Sequence, residues 1–495
     1  MYLTAPAENR KLLWHTYSAQ AYGIYHGDLD FFFNGWDDRG RVEKINTRKC
    51  PIYFLTGEYD WSNTLEISEA TAQKIPGAKL KRMPEIATLT FQFLPLRGGR
   101  VHHRLQPEHT ISSTYTQILA SNIAAPPNMY SPTVGTRVED LDTPSMIVDL
   151  DLAEANLKKL MGQLLPTGLN IRPHLKTSKS AIVAKKMAQA GAKGGCVAKV
   201  SEAEAIAAAG FDDLLITCEI VGAAKVKRLV ELFRKHRSIR IVVDSEVGAT
   251  AINEALASSA IDDPIMVLID LDVGLHRTGV KPGDAALALA RHVSGLKHLN
   301  LIGVQGYEGH LQHLHDKEDR KTQCLESMAI LTSTADALRK AGHNIEVVTT
   351  GGTGTAEFCA TVQGVTELQP GSFIFMDTDY RNAVGRFYSN SLTILSTVVS
   401  KQGPRAVTID SGLKSLTTDS GLAECKDPRY EYGVLGDEHG SLTWEVGTPD
   451  LLVGDRVEMV PSHIDPTVNL HDFYYVHRGG VVVEIWPVDS RGKVQ

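Results

Sequence analysis

LNIRPHLKTSKSAIVAKKMAQAGAKGGCVAKVSEAEAIAAAGFDDLLIT, residues 169–217, is the stretch that decides the fold. Short apolar or β-branched runs at Leu169–Arg172, Gly195–Ala198 and Leu214–Thr217 alternate with alanine-rich segments of helical spacing. Strand, helix, strand is what parallel pairing demands, because a parallel neighbour can be reached only through a long crossover. The alternation continues with runs at Ile239–Val243, Ile265–Ile269, Leu301–Gln305, Ile345–Thr349 and Val365–Leu368. Eight such runs predict an α/β fold of the (β/α)8 barrel type, whose chemistry lies at the C-terminal ends of the strands. An earlier run, Ser145–Val148, falls outside this count and is expected to pair with whatever follows the barrel.

After about Tyr388 the helical spacing stops. The runs LTILSTVVS, RAVTID, DRVEMV and GGVVVEIW, parted by Gly, Pro and Asp, read as an all-β domain. The expected layout is therefore a barrel over 141–385 and a β domain over 386–495, with residues 143–149 joining the sheet of the latter. Before these lie residues 1–105 and a linker-like stretch rich in Pro, Ser and Thr, 106–140.

With 495 residues, 43% of them hydrophobic and 22% charged, the chain can support two or three domains with separate cores. A formal net charge of −7 supplies no basic field to attract nucleic acid or an anionic membrane, which leaves a small molecule as the expected partner. No apolar run approaches the roughly 18 residues that span a bilayer, and no leader pattern opens the chain. Six cysteines without CxxC spacing suit reduced thiols, so a cytoplasmic location is expected.

Lys176, in IRPHLKTSK, lies just past the first barrel strand and points at the mouth. Pyridoxal chemistry needs an amine that can lose its proton, and Arg172, His174 and Lys179 are neighbours that would lower its pKa. A solvated lysine in a basic loop is the plain alternative. TTGGTGT (349–355), with Thr350, Gly351, Gly352 and Thr353, follows the seventh strand, and QPGSF (369–373), with Gly371 and Ser372, follows the eighth. Loops in those two places are the usual phosphate site of such barrels, where backbone N–H groups meet the anion. GYEGHLQH (306–313) brings Tyr307, His310 and His313 to the same mouth, and an imidazole there can act as a base near neutral pH. Arg277, in DVGLHRTG, could face a cofactor ring or a substrate carboxylate. In SHIDPTVNLHD, His463 and Asp465 would share one face of an extended segment, and an imidazole with a carboxylate suits Mn2+ or Mg2+ better than Zn2+. His471 is either a supporting group or a bystander.

DTPSMIVDLDLAEANL, RPHLKTSK, GYEGHLQH and HIDPTVNLHD occur in this order from about Leu141 onward, over roughly 70% of the chain. Together they resemble the D-threonine aldolase and D-serine dehydratase family of fold-type III pyridoxal 5′-phosphate (PLP) enzymes, relatives of alanine racemase. The resemblance implies a PLP-binding barrel joined to a β domain, with a homodimer partner completing the site. It makes Lys176 the Schiff-base lysine and assigns the metal to His463 and Asp465. Tyr307 and His313 would line the pocket, His313 as candidate base, and Arg277 would lie near the cofactor. Dehydratases of the family generally carry HxC with zinc, so Asp465 points to the aldolase branch. The expected reaction is PLP- and metal-dependent cleavage of a D-β-hydroxy-α-amino acid to glycine and an aldehyde. Dehydration of D-serine or 3-hydroxyaspartate is one alternative; a non-catalytic PLP-binding homeostasis protein is another.

NGWDDRGRVEKINTRKCPIYFLTGEYDWSNTLEISEATAQKIPGAKL, by contrast, resembles the C-terminal part of an α/β-hydrolase, with Asp60 in the place of the triad acid. The chain has no GxSxG elbow, so this N-terminal segment is expected to be catalytically inert.

Overall fold

A computed structural model describes residues 132–495, together with the backbone of two short strands, β1 (Tyr53–Gly57) and β2 (Lys79–Met83), which pair in parallel. Apart from those strands, the hydrolase-like segment, Asp60 and most of the stretch 106–140 lie outside the described residues. The chain divides into two compact units, Met1–Ile123 and Ala124–Gln495.

All eight expected barrel runs form strands: β4 (Asn170–Ile171), β5 (Gly195–Val197), β6 (Leu214–Ile216), β7 (Arg240–Val243), β8 (Ile265–Asp270), β9 (Leu299–Gln305), β10 (Val347–Thr350) and β11 (Glu367–Leu368), with β3 (Ser145–Asp149) ahead of them. They pair in parallel in the order β4-β11-β10-β9-β8-β7-β6-β5. A parallel bridge between His174 and Cys196 joins the two ends of this order, Leu175 N donating to Cys196 O at 2.7 Å and Cys196 N to Pro173 O at 2.8 Å.

Alternation along each strand sorts the side chains. Cys196, Leu215, Val242, Leu268 and Ile302 form one buried cluster, whereas Val197, Leu214, Ile216, Ile241 and Val243 belong to the larger core shared with the helices. The crossover from β6 to β7, α1 (Ala223–Lys235), shows why these segments are helical. Val226, Leu229, Val230 and Phe233 recur at three- and four-residue spacing and, with Leu232, are the side chains it buries. Inside the ring the Arg172 guanidinium, 2% exposed, meets Glu367 Oε2 at 3.1 Å and Asp213 Oδ1 at 2.8 Å. Gly194 makes room for it, because a Cβ there would stand 2.1 Å from Arg172 Nη1.

The β domain contains β12 (Leu392–Gly403), β13 (Ala406–Ile409), β14 (Glu424–Cys425), β15 (Glu431–Val434), β16 (Gly440–Thr443), β17 (Arg456–Val460), β18 (Phe473–Arg478) and β19 (Val481–Pro487). As expected, β3 joins this sheet, antiparallel to β12 and parallel to β18. The supposed linker, however, ends in ordered structure. Gly135 N donates to Val482 O, Val482 N to Thr136 O and Val138 N to Gly480 O, each at 2.8 Å. These residues cover part of β19 with main-chain bonds, which need no apolar periodicity and so leave no pattern in the sequence. Among the described residues no helix is long and apolar enough to cross a membrane.

Removing residues 1–131 is therefore expected to leave a soluble, folded protein. Extending the cut to residue 140 should lower the melting temperature by several degrees, as lost edge pairing uncovers β19. Loss of soluble protein with the shorter cut would show that the N-terminal unit is needed.

Candidate active site

Past β4 the chain turns sharply, and Lys179, at φ 48, occupies the left-handed region with its N–H on Leu175 O. This turn aims Lys176 across the barrel mouth at α2 (Ile464–Val468), where its Nζ lies 2.6 Å from Asp465 Oδ2. Solvent still reaches 41% of the lysine side chain and 14% of the aspartate. The Asp465 carboxylate raises the Lys176 pKa well above its ordinary value, overcoming the opposite effect of burial. Burial acts to raise the Asp465 pKa, but Lys176 and His463 outweigh it and hold that carboxyl well below the usual range. The pair is an ammonium and a carboxylate.

This corrects the expectation that neighbouring cations would depress Lys176. Arg172 turns into the barrel toward Glu367, and Lys179 Nζ meets Glu202 Oε1 at 3.1 Å. His174 carries no charge, because burial and Lys176 push its pKa down to about 3. Its Nδ1 accepts from Lys176 N at 3.3 Å, so Nε2 carries the hydrogen and donates to Thr217 Oγ1 at 3.0 Å.

His463 and Asp465 do not share a strand face as expected. His463 is extended at φ −140, ψ 122, while Asp465 already belongs to the first turn of α2. The His463 Nδ1–H points to Asp419 Oδ2 at 2.5 Å, which leaves Nε2 free for an ion. Asp465 Oδ1 is buried without a hydrogen-bond partner. An oriented imidazole and an orphaned carboxylate oxygen fit a divalent cation. His471 Nε2 binds Ser415 O at 2.9 Å, fastening the loop that leads to Asp419. A second group of metal-type donors, Glu308, Cys324 and Cys359, fits an ion poorly. The Glu308 carboxylate is already taken by Thr355 Oγ1 at 2.5 Å, Thr350 Oγ1 at 2.9 Å and Gln312 Nε2 at 3.2 Å. The Cys359 thiol, hydrogen-bonded to Cys324 and buried, is pushed well above its usual pKa and stays protonated.

The glycine-rich loop after β10 is packed onto Gln312. A Cβ at Gly352 would meet Gln312 Oε1 at 2.3 Å, and one at Gly354 would meet Gln312 O at 2.5 Å. Gly352 N donates to Thr355 Oγ1 and Gly354 N to Gln312 Oε1. Thr350 spends its hydroxyl on Gly306 O and Glu308, bracing the loop. Thr353 Oγ1 accepts from Phe373 N at 3.1 Å and ties this loop to the next. The amides of Thr353, Gly371 and Ser372 enter none of the hydrogen bonds of the described residues, and a Cβ at Gly371 would stand 2.6 Å from His174 O. Close-set, unpaired N–H groups beside a lysine suit a phosphate cradle.

Arg277 lies 5.9 Å over the ring of Tyr307, whose phenol burial pushes up in pKa and keeps protonated. His313 Nδ1 lies 2.9 Å from Asp379 Oδ2 on α3 (Thr378–Val384), and its ring packs 4.4 Å from that of Tyr380. Burial lowers the His313 pKa, Asp379 opposes this, and His463 and Lys176 add to the lowering. His310 is exposed beside Gly274. A cavity of about 910 Å³ opens on the β domain among Arg137, Tyr430 and Arg456, but none of the candidate side chains lines it. Lys176, Tyr307, His313, His463 and Asp465 instead gather at the barrel mouth, coupled electrostatically.

Sequence reasoning missed Glu308, Gln312, Asp379 and Asp419. The first two lie inside GYEGHLQH, where the histidines drew attention; Asp379 and Asp419 lie in MDTDY and TTDSG, whose spacing carries no signal. It also missed a carboxyl pair at the mouth, Glu219 and Asp270, both pushed up chiefly by burial, Glu219 to about 8.

Lys176→Ala should abolish the visible absorbance of the PLP-loaded protein, and its persistence would reject the lysine assignment. The Glu219 pair generates a pH dependence. The folded protein keeps a proton that the unfolded chain, at the ordinary value of 4.5, releases, so stability should fall as pH rises from there to about 8. Thermal melts of Glu219→Gln should be flatter over this window; parallel curves would remove the shared proton.

Residues 148–379 match the family described as alanine racemase, N-terminal domain, and residues 391–477 match the putative serine dehydratase domain. A D-threonine aldolase of Arthrobacter sp is 39% identical over 383 residues, covering 76% of this chain and 99% of that protein. A 3-hydroxy-D-aspartate aldolase of Paracoccus denitrificans (strain Pd 1222) is 35% identical over 72% of this chain and 94% of that protein. The crystal structure of D-threonine aldolase from Filomicrobium marinum superposes with a TM-score of 0.71 at 35% identity, covering 74% of this chain and 100% of that one. With a parallel barrel, an all-β domain and a lysine at the barrel mouth, the chain belongs to the D-threonine aldolase and D-serine dehydratase family of fold-type III PLP enzymes.

Proposed function

We propose that this enzyme is a PLP- and divalent-metal-dependent aldolase that cleaves D-β-hydroxy-α-amino acids, D-threonine among them, to glycine and an aldehyde. The observation that carries this reading is Asp465, a carboxylate rather than a thiolate, set against Lys176 with one oxygen free. On Lys176, with its phosphate at Thr353, Gly371 and Ser372, PLP would supply the electron sink for the carbanion left at Cα. His463 Nε2 and Asp465 Oδ1 would hold Mn2+ or Mg2+, which supplies Lewis acidity at the β-hydroxyl.

The chain's own groups then have separate tasks. His313, an imidazole kept uncharged by burial, takes the β-hydroxyl proton, and Asp379 against its Nδ1 stabilises the cation that forms. Arg277 over Tyr307 offers a fixed cation to the substrate carboxylate or the cofactor ring, and Tyr307 closes the pocket beside it. Neutral His174 presses against the main chain of Lys176 without adding charge. The dehydratase alternative needs a base at Cα, whereas His313 is grouped with the metal pair. We further place the protein in the cytoplasm as a homodimer acting on a small-molecule substrate, with residues 1–105 taking no part in catalysis; its buried free thiols support a reducing compartment.

Purified protein given PLP, Mn2+ and D-threonine should release glycine and acetaldehyde; ammonia and an oxo acid, from D-threonine or D-serine, would move it to the dehydratase reading. Asp465→Asn and His463→Ala should each cut turnover by about a hundredfold or more while the cofactor absorbance stays. Turnover that is unchanged by these substitutions and insensitive to chelators would remove the metal site.

A further inference from the structure

Residues 474–492 grip the site from two sides. Toward the barrel they hold the turn that follows Lys176. Tyr474 Oη donates to Ser178 O at 2.6 Å, Ser490 N donates to Lys179 O at 3.1 Å, and Asp489 Oδ2 accepts from Ala181 N at 2.7 Å. Toward α2 they hold the far end of the segment that carries Asp465. Val488 N donates to Asp472 O at 2.9 Å, Gly492 N to Asn469 Oδ1 at 2.8 Å and Arg491 Nε to Asn469 O at 3.3 Å, Asn469 being the residue that closes α2. One short stretch thus clasps the elements that bring Lys176 and Asp465 together.

The barrel side of this clasp answers a physical need. Lys179 sits at φ 48, a conformation that a residue with a Cβ disfavours and that persists only where its surroundings fix it. The helix that starts two residues later, Ala181–Gln189, takes no bond from the side chain of its own N-cap residue, Ser180. Asp489, 308 positions along the chain, supplies an acceptor to one of the amides that a helix start leaves open. Its negative charge suits that end of the helix. The Lys176 nitrogen is held at one end by Asp465 and at the other by the course of its main chain, and the clasp sets the second.

We propose that Asp489 is a positioning residue for Lys176, closing a clasp that fixes the turn from which the lysine reaches the cofactor. The inference rests on Lys176 as the Schiff-base lysine and deepens that reading. Asp489 acts through the main chain of residues 178–181, not by touching cofactor or substrate.

The test compares two ligands of the cofactor-stripped full chain, with dissociation constants measured by calorimetry. PLP gains affinity by condensing its aldehyde with the Lys176 nitrogen, one water leaving, whereas pyridoxamine 5′-phosphate has the same ring and phosphate but no aldehyde. The wild type should bind PLP about tenfold or more tightly than the amine form. Asp489→Ala should weaken PLP by about tenfold or more and leave the amine form within about twofold, because none of the cradle amides belongs to the clasp. Asp489→Asn keeps an acceptor for Ala181 N and should hold PLP affinity within about threefold of the wild type. Tyr474→Phe removes one hydroxyl from the same clasp; it should shift PLP in the same sense and carries the test if Asp489→Ala gives no soluble protein. Wild-type PLP affinity in both Asp489→Ala and Tyr474→Phe would overturn the proposal. So would equal weakening of the two ligands, which marks a general loss of structure. A wild type that binds PLP no better than the amine form would instead sink the Lys176 assignment and this inference with it.

Discussion

The contact between Lys176 and Asp465 is the constraint on which the site depends. One partner comes from the barrel and the other from the β domain, and each holds the other in its charged state. A charge taken partly out of water must be matched, and the penalty for losing the partner falls mainly on Asp465, the less exposed of the two. The position of the Lys176 side chain thus depends on the docking of the second domain. The bonds from Ile464 N to Asp377 Oδ2 and from Thr378 N to Pro461 O bring the end of the barrel and the start of α2 into fixed register.

Behind this exposed pair lies a polar network of different character. Glu308 is fully buried and its oxygens are engaged by Thr350, Thr355 and Gln312, so it braces the glycine-rich loop after β10. A satisfied buried carboxylate rigidifies its surroundings, whereas Asp465 keeps an oxygen free. The two carboxylates divide the work: one holds a shape, the other is available to a ligand.

Much of this was legible in the sequence because it is written in periodicity. All eight barrel strands and the displaced β3 follow from apolar runs and helical spacing, and Lys176, Tyr307, His313 and His463 sit in motifs whose order can be read directly. What was not legible depends on which segments the topology brings together. The charge state of Lys176 is set by a residue in another domain, and Arg172, adjacent in the chain, points the other way. Asp379 and Asp419 acquire meaning only because His313 and His463 arrive beside them. The edge pairing of residues 135–138 involves only main chain, which sequence patterns do not report.

The place of β3 has a consequence for how the protein is made. On a ribosome this strand emerges before any strand of the barrel, yet both of its neighbours, β12 and β18, are translated after the barrel is complete. Barrel strands find partners mostly among near neighbours and can assemble as they appear, while β3 must wait with its apolar residues Met146, Ile147 and Val148 unpaired. A nascent chain that stalls within the barrel thus carries an open strand edge, a template for pairing with another copy. Release of the last hundred residues is the event that removes the hazard, so aggregation during synthesis is governed by the C-terminal end rather than by the barrel.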